Sequence, residues 1–104
     1  METPILPKRI ALEKLETVIG MLKVAAHPQR MAILDVLARE GEMSVSQLQD
    51  MLGMEQAIAS QHLTLMKDKG LLGLKRQGKF SFYFLRHPDF VRIIDCVERC
   101  CNDI

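Results

Sequence analysis

The chain has 104 residues, which fits a single domain with a modest core that needs no disulfide or metal staples. Hydrophobic residues make up 48% and charged residues 26%, which argues against disorder, and no apolar run approaches the roughly 18 residues of a membrane span. The net charge is only +1, but six basic and two acidic residues between Glu55 and Arg86 give that segment a charge of +4.

Two helices are predicted in the first 41 residues. The segment 9–26 carries apolar residues at helical spacing, namely Ile10, Leu12, Leu15, Val18, Ile19 and Leu22. The next segment, HPQRMAILDVLAREG, places Pro28 in the first turn of a second helix that ends at Gly41. Its core-facing positions are Met31, Ile33, Leu34 and Leu37.

Two further helices follow at close spacing. The segment SVSQLQDMLG predicts a short helix that ends at Gly53, with Ser44 as N-cap and Gln47 completing a capping box. The segment QAIASQHLTLMKDKGLL predicts a helix from about Glu55 to Lys69, stopped by Gly70. Its buried stripe is Ala59, Leu63 and Met66. Two helices joined by so short a turn are typical of a helix-turn-helix.

The hydrophobic period then changes from that of a helix to that of a strand. In LLGLKRQGKFSFYFLR, three phenylalanines alternate with other residues after the polar turn RQGK, which predicts a β-hairpin with Arg76 and Lys79 at its tip. A last helix begins at Pro88, with Asp89 in its first turn. We therefore predict one mainly α domain of the winged helix-turn-helix class, in which four helices precede a hairpin wing and a final helix.

The segments LKVAAHPQRMAILDVL, QAIASQHLTLMKDKGLL and KRQGKFSFYFL resemble, at gap-free spacing, the second helix, recognition helix and wing of the ArsR/SmtB family of bacterial repressors. The resemblance covers about residues 22–85. It implies one domain over residues 1–104, with dimerisation helices at about 1–25 and 88–104, a helix-turn-helix at 44–70 and a wing at 71–86. It also implies a cytoplasmic homodimer that binds double-stranded operator DNA and is released by an effector.

The residue types agree with DNA binding. Polar and basic side chains on the fourth helix and hairpin can contact base edges and phosphates, and the candidates are Gln56, Ser60, Gln61, His62, Thr64, Lys67, Arg76 and Lys79. The alternative is a winged-helix module that binds proteins, in which the basic residues form a solvated face. No nucleophile–base pair, phosphate loop or paired carboxylates stand at useful spacing, so we do not expect an enzyme.

His62 admits three interpretations. It lies two residues after Ser60, near the edge of the predicted exposed face, which favours contact with DNA or a phosphate. A structural hydrogen bond is the main alternative. Catalysis or zinc binding lacks partner residues nearby in the sequence.

The sequence does not identify a single effector site. A family metalloid site of the form Cys-x-Cys is absent, because Ser44 and Ser46 stand in the cysteine positions. Three thiols near the end of the chain are candidates for a soft metal, a metalloid or oxidation, or are packing residues: Cys96, Cys100 and Cys101. A weaker set with the spacing of another family site is His87, Asp89, Cys100 and Asp103. An odd number of cysteines crowded at one end favours reduced thiols in the cytoplasm over secreted disulfides.

Overall fold

A computed structural model describes residues 4–104 of the chain. The helices in this part are α1 (Leu6–Arg9), α2 (Leu12–Ala25), α3 (Pro28–Glu40), α4 (Val45–Leu52), α5 (Gln56–Asp68) and α6 (Phe90–Asp103). The strands are β1 (Glu42–Met43), β2 (Leu72–Gln77) and β3 (Phe80–Leu85). The first three residues of the predicted dimerisation segment 1–25 lie outside the described residues.

The predicted winged helix-turn-helix is confirmed, with two differences in its elements. The segment 9–26 is not one helix, because Ile10 has extended backbone angles (φ −136°, ψ 158°) that separate α1 from α2. The short strand β1 was not predicted; it pairs antiparallel with β3, so the sheet order is β1-β3-β2. Because β1 has only two residues and its partner strand lies about forty positions further along the chain, no local pattern in the sequence could predict it.

The core lies between α2, α3, the helix pair α4–α5 and the start of the wing. Its fully buried side chains are Ile33, Leu34, Leu37, Leu48, Leu63, Met66, Leu71 and Leu72. The predicted buried stripe of α5 is confirmed, since Ala59, Leu63 and Met66 are at most 1% exposed. Replacing a fully buried leucine by alanine typically costs about 2–5 kcal/mol, so this stripe fixes which face of α5 points outward.

The terminal helices leave much of their apolar surface uncovered. Five of the six stripe residues predicted in segment 9–26 are 38–58% exposed: Ile10, Leu12, Val18, Ile19 and Leu22. In α6, Phe90 is buried and Ile94 half-buried, whereas Val97 is 42% exposed and Cys101 is exposed. Within residues 4–104, no helix is long and apolar enough to cross a membrane.

Candidate nucleic-acid interface

The helix-turn-helix is built by local hydrogen bonds that the sequence predicted. The hydroxyl oxygen of Ser44 accepts from the backbone N–H of Gln47 (3.2 Å), and the side-chain oxygen of Gln47 accepts from the N–H of Ser44 (2.9 Å). This capping box starts α4, and Gly53 ends it in the left-handed conformation. Only Met54 and Glu55 then separate Gly53 from α5, so the two helices are held in a fixed relation.

The outward face of α5 carries polar and basic side chains from its first turn to its last. Gln56, Gln61, Thr64 and Lys67 are exposed and Ser60 is half-buried. A shallow groove on this face is lined by Ala57, Ser60, Gln61, Thr64, Leu65 and Asp68. Amide and hydroxyl groups of this kind can donate to and accept from base edges, and the lysine can contact a phosphate. We call these five polar and basic residues, from Gln56 to Lys67, the reading face.

The wing presents basic side chains beside an exposed aromatic ring. Strands β2 and β3 are joined by a two-residue turn in which Gly78 has φ 60°, a conformation that glycine adopts without strain. Arg76 and Lys79 are exposed at this end of the hairpin, as predicted from the sequence. Phe80 is 64% exposed next to Lys79. From the sequence, Phe80 was predicted only as a strand residue. Its position next to the turn was the signal that could have indicated an exposed ring.

The structure corrects the predicted exposure of His62. Its side chain is buried, 9% exposed, and faces the start of α3 instead of solvent. The Nε–H of Arg30 donates to Nδ1 of His62 (3.2 Å), and Nε2 of His62 lies 2.8 Å from Oε1 of Gln29. The sequence could not reveal these partners, because they lie more than thirty residues away. His62 therefore takes the structural hydrogen bonds that were the alternative interpretation.

The ring of His62 is held in one protonation state by its neighbours. Because Nδ1 accepts from Arg30, the proton of a neutral ring is on Nε2 and is donated to Gln29. Burial lowers the pKa of His62 below 6.5, and the charges of Arg30 and His27 lower it further. A neutral histidine is the state that these hydrogen bonds require.

The candidate effector residues do not converge within one protomer. Cys96, Cys100 and Cys101 are all exposed on α6, and Cys96 and Cys100 line the same groove of that helix. In residues 4–104, no three His, Cys, Asp or Glu side chains are placed to hold a metal ion. The predicted three-thiol site is therefore not formed by one chain on its own.

The weaker metal set is separated along α6. His87 and Asp89 line a pocket near the start of the helix, together with apolar side chains of α2. Cys100 and Asp103 lie on the groove near its other end. The ten helical steps from Phe90 to Cys100 span about 15 Å, too far for a common ion in one protomer.

Comparisons with known proteins agree with this geometry. Residues 27–72 match the model of the bacterial regulatory protein, arsR family. A helix-turn-helix-type transcriptional regulator of Methanocaldococcus jannaschii is 30% identical over 87 residues, which are 81% of this chain and 98% of the relative.

Solved structures show the same fold. The transcriptional repressor PagR of Bacillus anthracis superposes with a TM-score of 0.76 at 33% identity, over 82% of this chain and 97% of PagR. A homodimeric winged helix-turn-helix DNA-binding domain from Mycobacterium bovis, described as a possible ArsR-family regulator, gives 0.75 at 28% identity, over 99% of this chain and 92% of that domain.

Proposed function

The chain belongs to the arsR family of bacterial regulatory proteins, and we propose that it represses transcription by binding a two-fold symmetric operator as a homodimer. Members of this family are DNA-binding transcriptional regulators, not enzymes. The observation that carries the proposal is the reading face of α5, polar on its outside and anchored behind by fully buried side chains. The repressor role is supported by relatives named as repressors, PagR among them.

The reading face and the wing suit two different parts of the duplex. A helix of the width of α5 fits the major groove of B-DNA, where Gln61 and Thr64 can reach base edges. Arg76 and Lys79 extend sideways on the wing, where they can contact phosphates or the neighbouring minor groove. We place this binding to operator DNA in the cytoplasm.

Dimerisation is supported by the uncovered apolar surface of the terminal helices. Single exposed apolar residues are common, but five on α2 and its approach, joined by Val97 on α6, are typical of a surface that another chain covers. A second copy is the natural occupant, because one reading head covers few base pairs and a two-fold dimer covers a pseudo-palindrome. The homodimeric domain from Mycobacterium bovis supports the same arrangement.

For the effector, we propose thiol chemistry on α6. Cys96 and Cys100 lie one turn apart and are exposed, so a soft metal or metalloid ion can bind their thiolates, with further ligands supplied by Cys101 or the second protomer. Alternatively, a peroxide oxidises two thiols to a disulfide: the thiols lose two protons and two electrons, and the peroxide is reduced to water. Since α6 packs on α3, a change there can alter how the two reading heads are spaced.

The DNA assignment is tested by fluorescence anisotropy with DNA from upstream of the protein's own gene. We expect binding that weakens steeply with salt, and that weakens further in Gln61→Ala plus Arg76→Ala. Lys14→Ala, an exposed lysine on α2, serves as the matched control and should retain affinity. Binding that is absent, or indifferent to the double substitution, contradicts the proposal and favours a module that binds proteins.

The effector proposal needs a separate measurement. Thiols are titrated in protein purified without oxygen, before and after arsenite, zinc or peroxide, and DNA affinity is measured in each state. Loss of titratable thiols together with weaker DNA binding supports sensing at α6. Unchanged thiols, or an unchanged affinity after modification, would leave the cysteines without a regulatory role.

A further inference from the structure

A cluster of polar side chains joins the recognition helix to the start of α3. Arg30, on α3, donates through Nε to His62 on α5 and through Nη1 to the carbonyl of Val24 at the end of α2 (3.2 Å each). Gln29 accepts from His62, and its own backbone N–H donates to Nδ1 of His27, the N-cap of α3 (3.1 Å). Arg30 thus links α3 to the end of α2 and to the buried imidazole on α5.

The cluster surrounds one buried side chain: His62 is buried, His27 and Arg30 are half-buried and Gln29 is exposed. The rings of His27 and His62 lie 4.9 Å apart, tilted by 56°. In residues 4–104, every buried side-chain nitrogen or oxygen has a hydrogen-bond partner. Hydrogen bonds that converge on a buried ring favour one relative placement of the elements that they join. Here those elements are the two helices that precede the helix-turn-helix and the recognition helix itself.

We propose that His62 is a positioning residue: its neutral ring holds the recognition helix against α3 through Gln29 and Arg30, and protonation of the ring in acid releases this hold and weakens DNA binding. The inference rests on the proposed operator binding and assigns to His62 a task other than contact with DNA. The reading face lies on the outside of α5, and the cluster sets the position and rotation of that face from behind.

Protonation and the cluster are incompatible for a simple geometric reason. A second proton goes to Nδ1, the atom that now accepts from Arg30. Two N–H donors then face each other at 3.2 Å, with a positive charge on each side. Either the ring or the guanidinium has to move, and the hydrogen bond between Arg30 and His62 is lost with it.

Among residues 4–104, no carboxylate is one of the groups that shift the pKa of His62. The ionisable groups that act on its ring are Arg30 and His27, both on the α3 side, and both lower its pKa. The helices α2 and α4 and the strand β2 also pack against α5. Their ionisable side chains are all exposed and are not among the causes of the shift: Glu13, Lys14, Glu16, Lys23, Asp50, Lys75 and Arg76.

The test is a set of operator titrations by anisotropy from about pH 8 to about pH 5 at constant ionic strength. For the wild type, we expect affinity to fall about fivefold through a midpoint below pH 6.5, the size of one net hydrogen bond at 1.4 kcal/mol per tenfold. His62→Gln keeps an acceptor for Arg30 and a donor for Gln29 but cannot titrate, so its affinity at neutral pH should stay near wild type and its acid loss should vanish. Circular dichroism at each pH establishes that the protein remains folded.

Two more variants separate the cluster from other effects of acid. His62→Leu removes both hydrogen bonds, so its affinity should be about fivefold weaker at neutral pH, with no acid loss of its own. His87→Gln replaces an exposed histidine outside the cluster and should keep the wild-type ratio between neutral and acid affinity.

Each outcome discriminates between the two proposals. An acid loss that persists in His62→Gln, or an affinity that rises in acid for the wild type, overturns the role of His62 while leaving operator binding intact. Failure of the wild type to bind DNA at any pH overturns operator binding itself, and the positioning role with it.

Discussion

The wing contains a contact that leaves no room for a side chain at Gly73. Gly73 stands directly opposite Phe84 in the register of β2 and β3. A Cβ atom at Gly73 would overlap Cζ of Phe84 and lie within 2.8 Å of two more ring atoms. Such distances are far below van der Waals contact, so Gly73→Ala must displace the ring or separate the strands.

We expect Gly73→Ala to lower the free energy of unfolding by about 1–3 kcal/mol, the usual cost of overpacking. Phe84 is only half-buried, so its ring can swing outward; this places the effect nearer the lower end of the range. In a domain of this size, each kcal/mol corresponds to about 4–8 °C in the melting temperature. Because the wing carries Arg76 and Lys79, operator affinity should fall as well.

Urea denaturation and thermal melting measure the stability change, at one protomer concentration because a dimer's stability depends on it. Gly20→Ala is the matched control: within one chain, no atom of residues 4–104 lies within 4 Å of a Cβ there, and alanine in the middle of α2 should raise stability by about 0.5–1 kcal/mol. If Gly73→Ala is as stable as the wild type, the close packing of Phe84 on the wing is refuted.

Three further predictions concern the N-cap of α4, the basic residues of the wing and the protonation of His62. Ser44→Ala should cost about 1 kcal/mol in urea denaturation, and Gln47→Ala should add less to it than it costs alone, because the two share one capping box; full additivity would argue against it. Arg76→Ala and Lys79→Ala should each reduce the slope of log affinity against log salt by about 0.9, and an unchanged slope would place that residue away from phosphates. In the folded state the pKa of His62 is lowered, so the unfolded chain binds more protons in acid. The free energy of unfolding should therefore keep the full contribution of His62 above pH 6.5 and should decrease as the pH drops towards the lowered pKa. In urea denaturation, His62→Gln should make this decrease smaller. An unchanged decrease would show that other groups cause it.

Local signals in the sequence were sufficient for most of the fold. Helical periodicity, a capping box at Ser44, glycines after the helices and strand alternation after Gly78 each depend on residues within a few positions of one another. These features set the order of helices, turn and wing. They also identified the outward face of α5, because a buried stripe at positions such as Leu63 defines the opposite face.

Features that depend on distant residues were missed or left open. The strand β1 exists only because β3 lies beside it, and the burial of His62 depends on Gln29 and Arg30 of another helix. A role of the cysteines of α6 in sensing stays a prediction, because an amphipathic pattern shows which face is apolar but not which chain covers it. In one protomer Cys101 remains exposed.

The reading face is separate from the hydrogen-bonded cluster around His62, and this separation has a consequence for the sequence specificity of DNA binding. A side chain that contacts a base edge strengthens binding to one DNA sequence more than to another. A group that orients the whole helix strengthens binding to all sequences alike. Gln61→Ala should therefore reduce the ratio of affinities between the operator and a variant operator altered at the contacted base pair, where a good contact discriminates by about 1–3 kcal/mol. His62→Leu should weaken both and preserve the ratio. Parallel anisotropy titrations on the two DNAs measure this, and a ratio that changes in His62→Leu as much as in Gln61→Ala would return His62 to the surface that contacts DNA.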